Sequence, residues 1–217
     1  MAPGDVRSAF GGRQRERAYH DAIWAFVCKD RVGSAGVSLP TGTYKLGPDD
    51  GTLSVRTGRT GAAAKAGHDL LIHVTAWQAT LTVGDDPTAT SIELDADAAS
   101  LRVREGTGGI QSLGDDDMAS IHQTIDDDVL KRRGITFRST AVTGGDGRLT
   151  VEGELTLAGT TRPLAFDLDV GDDGRLSGVA VVKQSDWGMK PYSALFGALK
   201  VADDVRVNID AGLPQSL

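Results

Sequence analysis

From Thr41 onwards, apolar and polar residues alternate along most of the chain. In the clearest run, residues 147–158, alternate positions are apolar (Leu149, Val151, Leu155, Leu157) or polar (Thr150, Glu152, Glu154, Thr156). A period of two is that of a β-strand with one buried face and one face in water. Residues 162–170 repeat the pattern directly after Ala158–Thr161. So short a break predicts an antiparallel hairpin.

The same pattern predicts further strands joined by short polar turns. These strands lie at residues 43–46, 51–57, 69–83, 91–97, 135–141, 175–185 and 204–210. Glycine and aspartate dominate the turns at 84–87, 144–147 and 171–174, as is typical of hairpin loops. The chain is therefore predicted to contain about eight or nine strands, each with one apolar face.

Residues 106–134 form the one long interruption of the strand pattern. Within them, Ile121, Ile125 and Val129 are four residues apart, which is the spacing of one helix face. Aspartates at 115–117 and basic residues at 131–133 suit the amino and carboxyl ends of such a helix, because of the helix dipole. The segment is predicted to be a single surface helix.

A sheet of this many strands with one covering helix must fold on itself or stack as two sheets, since its apolar face would otherwise meet water. Of these two arrangements we predict closure, which makes the fold class all-β with a closed antiparallel barrel of about eight strands. The interior of such a barrel is either filled by side chains or holds a small ligand. Inward Val and Leu residues interspersed with Gly153, Gly178 and Ala180 favour spare volume.

Residues 1–40 differ from the rest of the chain. They contain six Lys/Arg and four Asp/Glu, and apolar residues near helical spacing predict a helix at about residues 14–30. Glycines and Pro40 follow as a linker. We therefore predict a partly helical N-terminal extension, 1–40, and a barrel domain, 41–213. The extension is interpreted either as a peripheral helix or as a helix that binds a partner.

Charge and composition narrow the function. The formal charge of −7 provides no basic field for nucleic acid. The longest apolar run, residues 22–28, is far shorter than the roughly 20 residues of a membrane-spanning helix. We see no signal peptide, and the single cysteine, Cys28, cannot form an internal disulfide. The sequence predicts no membrane span and a cytoplasmic location.

Motifs for catalysis and metal binding are missing from the sequence. We find no nucleophile elbow, zinc spacing, phosphate loop or dinucleotide fingerprint. His68 and Asp69 are adjacent on a predicted strand, so their side chains point to opposite faces, and His73 diverges from His68 as well. We predict no cofactor, no metal and no enzymatic activity. The alternative is a hydrolase or isomerase that uses His68 as its base.

Two segments resemble the YceI family of lipocalin-like, polyisoprenoid-binding proteins. Residues 135–140 (ITFRST) with 151–164 (VEGELTLAGTTRPL) are similar to its "I-x-F-x-S-T … G-x-L-T-(I/L)-x-G-x-T-(K/R)-P" hallmark. Residues 184–189 (QSDWGM) and 201–205 (VADDV) are similar to its closing strands. The resemblance runs from about Thr41 to Ala211 and implies a lipocalin-like barrel that holds a polyisoprenoid or similar lipid. His68 looks like the family's histidine after the second strand.

Candidate ligand-binding residues follow from this expectation. Aromatic rings suit the wall of an apolar site, and cations suit an anionic head group. The candidates are His68, Trp77, Phe137, Arg138, Phe166, Lys183, Trp187, Lys190, Tyr192 and Phe196. Plain core packing is an equal interpretation for Phe137 and Phe166, and the segment 187–199 is predicted to be a lid.

The predicted partner is thus an apolar small molecule, which the protein binds in order to store or transport it. The sequence also leaves open whether the chain forms a homodimer. A third interpretation is that the barrel is a stress-related scaffold and that residues 14–30 make the functional contact.

Overall fold

The computed structural model of the chain describes residues 39–145 and 147–213. The helix predicted at residues 14–30 and nearly all of the predicted extension 1–40 lie outside the described residues. The described part is an all-β fold with one α-helix, as predicted.

Fourteen strands are present in the described part of the chain. They are β1 (Gly42–Leu46), β2 (Gly51–Arg56), β3 (Arg59–Thr60), β4 (His68–Val74), β5 (Trp77–Val83), β6 (Ser91–Ala96), β7 (Leu101–Gly108), β8 (Ile135–Gly145), β9 (Arg148–Leu157), β10 (Thr160–Val170), β11 (Arg175–Lys183), β12 (Ser193–Ala194), β13 (Leu199–Val201) and β14 (Asp204–Gly212). Helix α1 (Asp115–Thr124) runs directly into a π-helical turn (Ile125–Val129). Short 3₁₀ turns occupy Ala64–Ala66, Pro87–Ala89, Ala98–Ser100, Gln184–Trp187 and Leu195–Gly197.

Eleven strands form one antiparallel sheet in the order β1-β5-β6-β8-β9-β10-β11-β14-β2-β4-β7. The predicted hairpin is confirmed: β9 and β10 pair over ten positions, with Thr160 opposite Leu157 and Asp169 opposite Arg148. The strand predicted at 69–83 is two strands, β4 and β5, which turn a corner at Thr75 and Ala76. Strand β7 was not predicted, because only Leu101 and Val103 continue its alternation before Gly106.

The predicted closed eight-stranded barrel is not confirmed: the described residues form a curled antiparallel sheet of eleven strands, or half-barrel. Strands β5 and β4 lie eight positions apart in the sheet, which on a flat sheet is about 38 Å at ~4.8 Å per strand. Only Thr75 and Ala76 join them, and so short a link spans at most about 11 Å. The sheet must therefore curl until β4 and β5, the strands next to its two edges, come together at this corner.

Hydrogen bonds hold the corner where the ends of the sheet meet. The amide of Thr75 donates to the carbonyl of Ser100 at 3.1 Å, and the amide of Asp97 donates to the carbonyl of Ala76 at 3.0 Å. Within the described residues, however, no ladder joins the two edge strands, β1 and β7. Alternating burial is the same in a closed barrel and in a curled sheet, so the sequence pattern cannot specify whether the edges pair.

The interior of the half-barrel has two different ends. At the end with the 84–87, 144–147 and 171–174 turns, which we call the filled end, inward side chains pack together and are buried. They include Leu81, Val83, Val142, Leu149, Val151, Leu168, Val170 and Leu176. At the opposite, open end, inward residues are only half-buried, among them Leu70, Leu94, Leu164, Val205 and Val207. Apolar side chains that face inward yet stay half-exposed indicate space inside this end.

A segment of residues 184–201, the rim segment, crosses the open end and is anchored at its start. The buried Trp187 donates from Nε1 to the carbonyl of Leu155 at 2.9 Å. Asp203 accepts from the hydroxyl of Ser185 at 2.6 Å and from its amide at 2.8 Å. Strand β13 of this segment pairs with β12 on one side and with β3 on the other, in a small second sheet.

Gly153 permits a close approach between β9 and β8. A Cβ at this position would meet the ring of Phe137 at 2.5 Å and would also clash with the carbonyl oxygen of Arg138. The β8–β9 register shifts beside it, between Ser139 and Ala141. The absence of a side chain at Gly153 thus lets the strands bend and lets the ring of Phe137 pack against β9.

We expect Gly153→Ala to lower the free energy of unfolding by about 1–3 kcal/mol, since the added methyl group forces Phe137 and the backbone of β8 apart. Urea denaturation followed by far-UV circular dichroism measures the change. Gly134→Ala is the matched control, because a Cβ there meets nothing within 4 Å. Equal stability of the two variants would contradict the close packing at Gly153.

A second prediction concerns the anchor at Asp203. The Ser185 hydroxyl, and then its amide, hold the pKa of Asp203 below its ordinary value. A carboxylate with a depressed folded pKa adds stability above its unfolded pKa, and that stability is lost as the pH falls through the folded pKa. We expect Asp203→Asn to be less stable than the wild type at neutral pH, with the difference shrinking as the pH falls from the unfolded pKa of about 3.9 through the lower folded pKa.

Urea midpoints of the wild type and Asp203→Asn across this pH range test the expectation. The control is Asp172→Asn, which removes an exposed carboxylate from a turn at the filled end. A stability difference for Asp203→Asn that does not change with pH would refute the assigned role.

Candidate ligand-binding cavity

A cavity of about 610 Å³ occupies the open end of the half-barrel. Nine strands of the main sheet line it with inward side chains, namely β2, β4, β6, β7, β8, β9, β10, β11 and β14. Its walls are almost entirely aliphatic, with Leu70, Leu155, Val182, Val207 and Ile209 as examples. Volumes of this size are typical of sites that enclose a small molecule or part of a lipid.

Two phenylalanines form the floor of the cavity. The rings of Phe137 and Phe166 lie 5.6 Å apart between centroids at an angle of 57°. This tilted geometry is one that aromatic pairs prefer. Phe137 is buried, whereas Phe166 keeps part of its surface open, and both line the cavity. The floor therefore separates the cavity from the packed residues of the filled end.

Helix α1 and its π-helical turn cover one side of the opening. Ile121, Ile125 and Val129 line the cavity, so the apolar spacing identified in the sequence is the face that points inward. The predicted helix is confirmed, with three aspartates in its first turn. Asp117 accepts a hydrogen bond from the amide of Gly114 at 3.0 Å and lines the mouth together with Ser120 and Thr124.

His68 lies at the mouth and holds a loop. Its Nε2 is 2.7 Å from the carbonyl oxygen of Gln111, and a carbonyl can only accept, so Nε2 carries the proton. Gly109 packs directly against the imidazole, in a left-handed conformation with φ of 75° that favours glycine. The contact ties the β7–α1 loop to the start of β4.

Asp69 and His73 diverge from His68, as their positions along β4 predict. Neither lines the cavity, whereas His68 does. Asp69 instead accepts from the amide of Arg59 at 2.7 Å. Burial, and then the nearby Arg104 charge, lower the pKa of His73.

Arg59 and Lys200 are the cations that line the cavity, and neither was predicted from the sequence. The Arg59 guanidinium is fixed: it donates to the carbonyls of Thr107 at 2.7 Å and Gly67 at 3.1 Å, and lies 3.7 Å from the carboxylate of Asp69. Arg59 and Lys200 belong to β3 and β13, whose two and three residues are too short to show a period in the sequence. Only the pairing of these strands brings the two cations to the mouth.

Of the ten predicted ligand-binding residues, His68, Phe137, Phe166 and Tyr192 line the cavity. The three predicted cations lie elsewhere. Arg138 follows the inward Phe137 and so points outward, where it binds Asp95 at 2.9 Å. Lys183 follows the inward Val182 and is exposed for the same reason, and Lys190 is also exposed.

Three predicted aromatic residues also lie outside the cavity. Trp187 is buried in the anchor of the rim segment, and Trp77 stands at the start of β5, on a strand that contributes nothing to the lining. Phe196 is fully exposed on the rim segment. The predicted lid region 187–199 does contribute Met189, Tyr192, Ala194 and Leu199 to the lining.

Two further observations limit the chemistry of the described residues. In residues 39–145 and 147–213, no group of three or more His, Cys, Asp or Glu side chains is placed to hold a metal ion. No helix in that part of the chain is long and apolar enough to span a membrane.

Comparison with solved structures identifies proteins of similar fold. BcnA from Burkholderia cenocepacia shares 18% identity at a TM-score of 0.55, over 74% of this chain and 94% of that one. The YCEI protein of Campylobacter jejuni shares 16% identity at a TM-score of 0.48, over 67% of this chain and 85% of that one. No curated protein matches the chain significantly. The family model of the YceI-like domain matches residues 44–213. The match covers most of the chain, and the chain therefore belongs to the family of YceI-like domains.

Proposed function

We propose that this protein binds a long apolar ligand, a polyisoprenoid or a similar lipid, inside the half-barrel. The observation that carries the proposal is the cavity of about 610 Å³, whose aliphatic walls come from nine strands of the main sheet and whose floor is the Phe137–Phe166 pair. Membership of the YceI-like family supports it. BcnA shares the fold alone and adds nothing on the ligand.

The walls supply the affinity. Burial of apolar surface stabilises a complex by about 25 cal/mol per Å² before the costs of association. Leu70, Leu164 and Val207 are already half-exposed toward empty space in the folded protein, so a ligand covers them without displacing packed neighbours. A rigid site of this kind loses little conformational freedom on binding.

The distribution of polar groups gives the ligand a direction. Arg59, His68, Tyr192 and Lys200 lie among the mouth residues, whereas Phe137 and Phe166 form the floor. An apolar tail points toward the floor in this arrangement, and a polar or anionic end stays at the mouth near the two cations.

The contacts of His68 describe a structural role. Its Nε2 donates to the carbonyl of Gln111 and Gly109 packs against the ring, so Nδ1 is the one ring nitrogen left to accept a proton. The imidazole holds the β7–α1 loop at the mouth. We therefore propose a binding protein and not a hydrolase or isomerase.

Filling the cavity tests the site directly. Val207→Phe places a ring among the lining residues, so we expect its affinity for an apolar fluorescent probe such as N-phenyl-1-naphthylamine to fall roughly tenfold or more. Val181→Phe is the matched control, because Val181 is exposed on the outer face of the neighbouring strand β11. Equal probe affinity in the two variants would show that the cavity is not the binding site.

Native mass spectrometry and solvent extraction of the purified full chain test the nature of the ligand. We expect a co-purifying apolar molecule in the wild type and less of it in Val207→Phe. A wild-type protein that neither retains such a molecule nor binds apolar probes would contradict the proposal.

Replacing His68 separates binding from catalysis. We expect His68→Ala to keep probe affinity within about threefold, because the aliphatic walls are untouched, while the loop at residues 106–113 exchanges its amide hydrogens faster. Hydrogen exchange measured by mass spectrometry reports the loop. Turnover of an ester or isoprenoid substrate by the wild type that disappears in His68→Ala would instead establish an enzyme.

A further inference from the structure

The large exposed apolar side chains of the described residues are concentrated at the mouth of the cavity. Six such side chains are present in the described part of the chain: Ile110, Val179, Val181, Tyr192, Leu195 and Phe196. The two valines lie on the outer wall of β11, and the other four lie in the loops at the open end. Leu195 is 58% exposed, and Phe196 is completely exposed. An apolar group held in water in this way marks an interaction surface.

The backbone of the rim segment holds these side chains outward. Leu195 and Phe196 have φ values of 49° and 55°, in the left-handed region that bulky residues rarely adopt. Their neighbours Ala194 and Leu199 line the cavity, so the segment sends some apolar residues inward and turns two of the largest away. Strained conformations that expose apolar side chains are characteristic of binding surfaces.

Charge indicates what this surface meets. From residue 187 to its end at 201 the rim segment contains Lys190 and Lys200 and no carboxylate, and its one acidic residue is Asp186 in the anchor. Helix α1 and its π-helical turn, which also border the mouth, contain six aspartates at 115–117 and 126–128. Exposed aromatic and aliphatic side chains flanked by lysines match the interface of an anionic bilayer. Helix α1, on the opposite side of the mouth, would be repelled by the same anionic bilayer because of its aspartates.

We propose that the rim segment docks the protein on an anionic lipid bilayer, with Leu195 and Phe196 in the interface and Lys190 and Lys200 at the head groups. The mouth then faces the bilayer at a tilt, with helix α1 held away from it. Given the proposed function, an apolar ligand would pass between bilayer and cavity along the lining residues of the rim segment, without crossing water.

Binding of the full chain to vesicles tests this docking. The probes are vesicles of phosphatidylcholine alone and of phosphatidylcholine mixed with phosphatidylglycerol, assayed by flotation. We expect the wild type to bind the anionic vesicles more tightly than the neutral ones. The double variant Leu195→Ser, Phe196→Ser is expected to bind roughly tenfold to a hundredfold more weakly, because two exposed side chains no longer enter the interface.

The outer wall of β11 provides the control. Val179→Ser, Val181→Ser removes two exposed apolar side chains that lie on the outer wall of β11 and outside the rim segment, and we expect vesicle binding equal to that of the wild type. Lys190→Glu should weaken binding to the anionic vesicles and leave binding to neutral ones unchanged. Every variant keeps residues 1–38, so differences among them report the rim segment.

Several outcomes would overturn the docking proposal. They are the absence of vesicle binding by the wild type, undiminished binding by the rim variant, or equal loss in the β11 control. Light scattering could instead show that the wild type is a dimer, that the rim variant is a monomer, and that the wild type does not bind vesicles. That result would assign the surface to a second copy of the chain.

The probe assay in vesicle-free solution keeps the two proposals apart. Neither Leu195 nor Phe196 lines the cavity, so the rim variant should bind the apolar probe as the wild type does. Probe binding without vesicle binding overturns the docking alone. Vesicle binding without probe binding overturns the ligand proposal alone.

Discussion

The structure depends on the short links that join distant strands of the main sheet. Thr75 and Ala76 connect β4 to β5, and residues 47–50 connect β1 to β2, although each pair is separated by eight positions or seven intervening strands in the sheet order. A flat sheet cannot satisfy these links, because the distances are several times the reach of the chain. The sheet therefore curls, and all of its apolar faces turn toward one interior.

The size of the inward side chains decides what that interior contains. At the filled end, Val142, Val151 and Leu168 pack against residues from other strands and leave no room. At the open end, a sheet of eleven strands encloses more space than medium-sized side chains can fill. Phe137 and Phe166 form the boundary, and Gly153 allows the first of these rings to lie close to β9.

The mouth has two chemically different sides. Helix α1 contributes Asp117 and a row of small polar groups, while the rim segment contributes Tyr192, Lys200 and exposed apolar residues. Arg59 and His68 are held in place by backbone carbonyls between these sides. Because these groups stay at the mouth, the interior remains apolar, and the same asymmetry gives the opening a preferred orientation toward a charged surface.

The sequence by itself determined the local elements and the direction of their side chains. The β9–β10 hairpin, the helix with Ile121, Ile125 and Val129, and the divergence of His68 from Asp69 follow from periods of two and 3.6, which are properties of the backbone. The same parity would have placed Arg138 and Lys183 outside, since each follows an inward apolar residue. Only the tertiary structure decided that β1 and β7 stay unpaired, that Arg59 and Lys200 meet at the mouth, and that Phe196 faces solvent. These features arise where segments far apart in the sequence come together in space. The alternation of residues along one strand carries no information about which distant segments will meet.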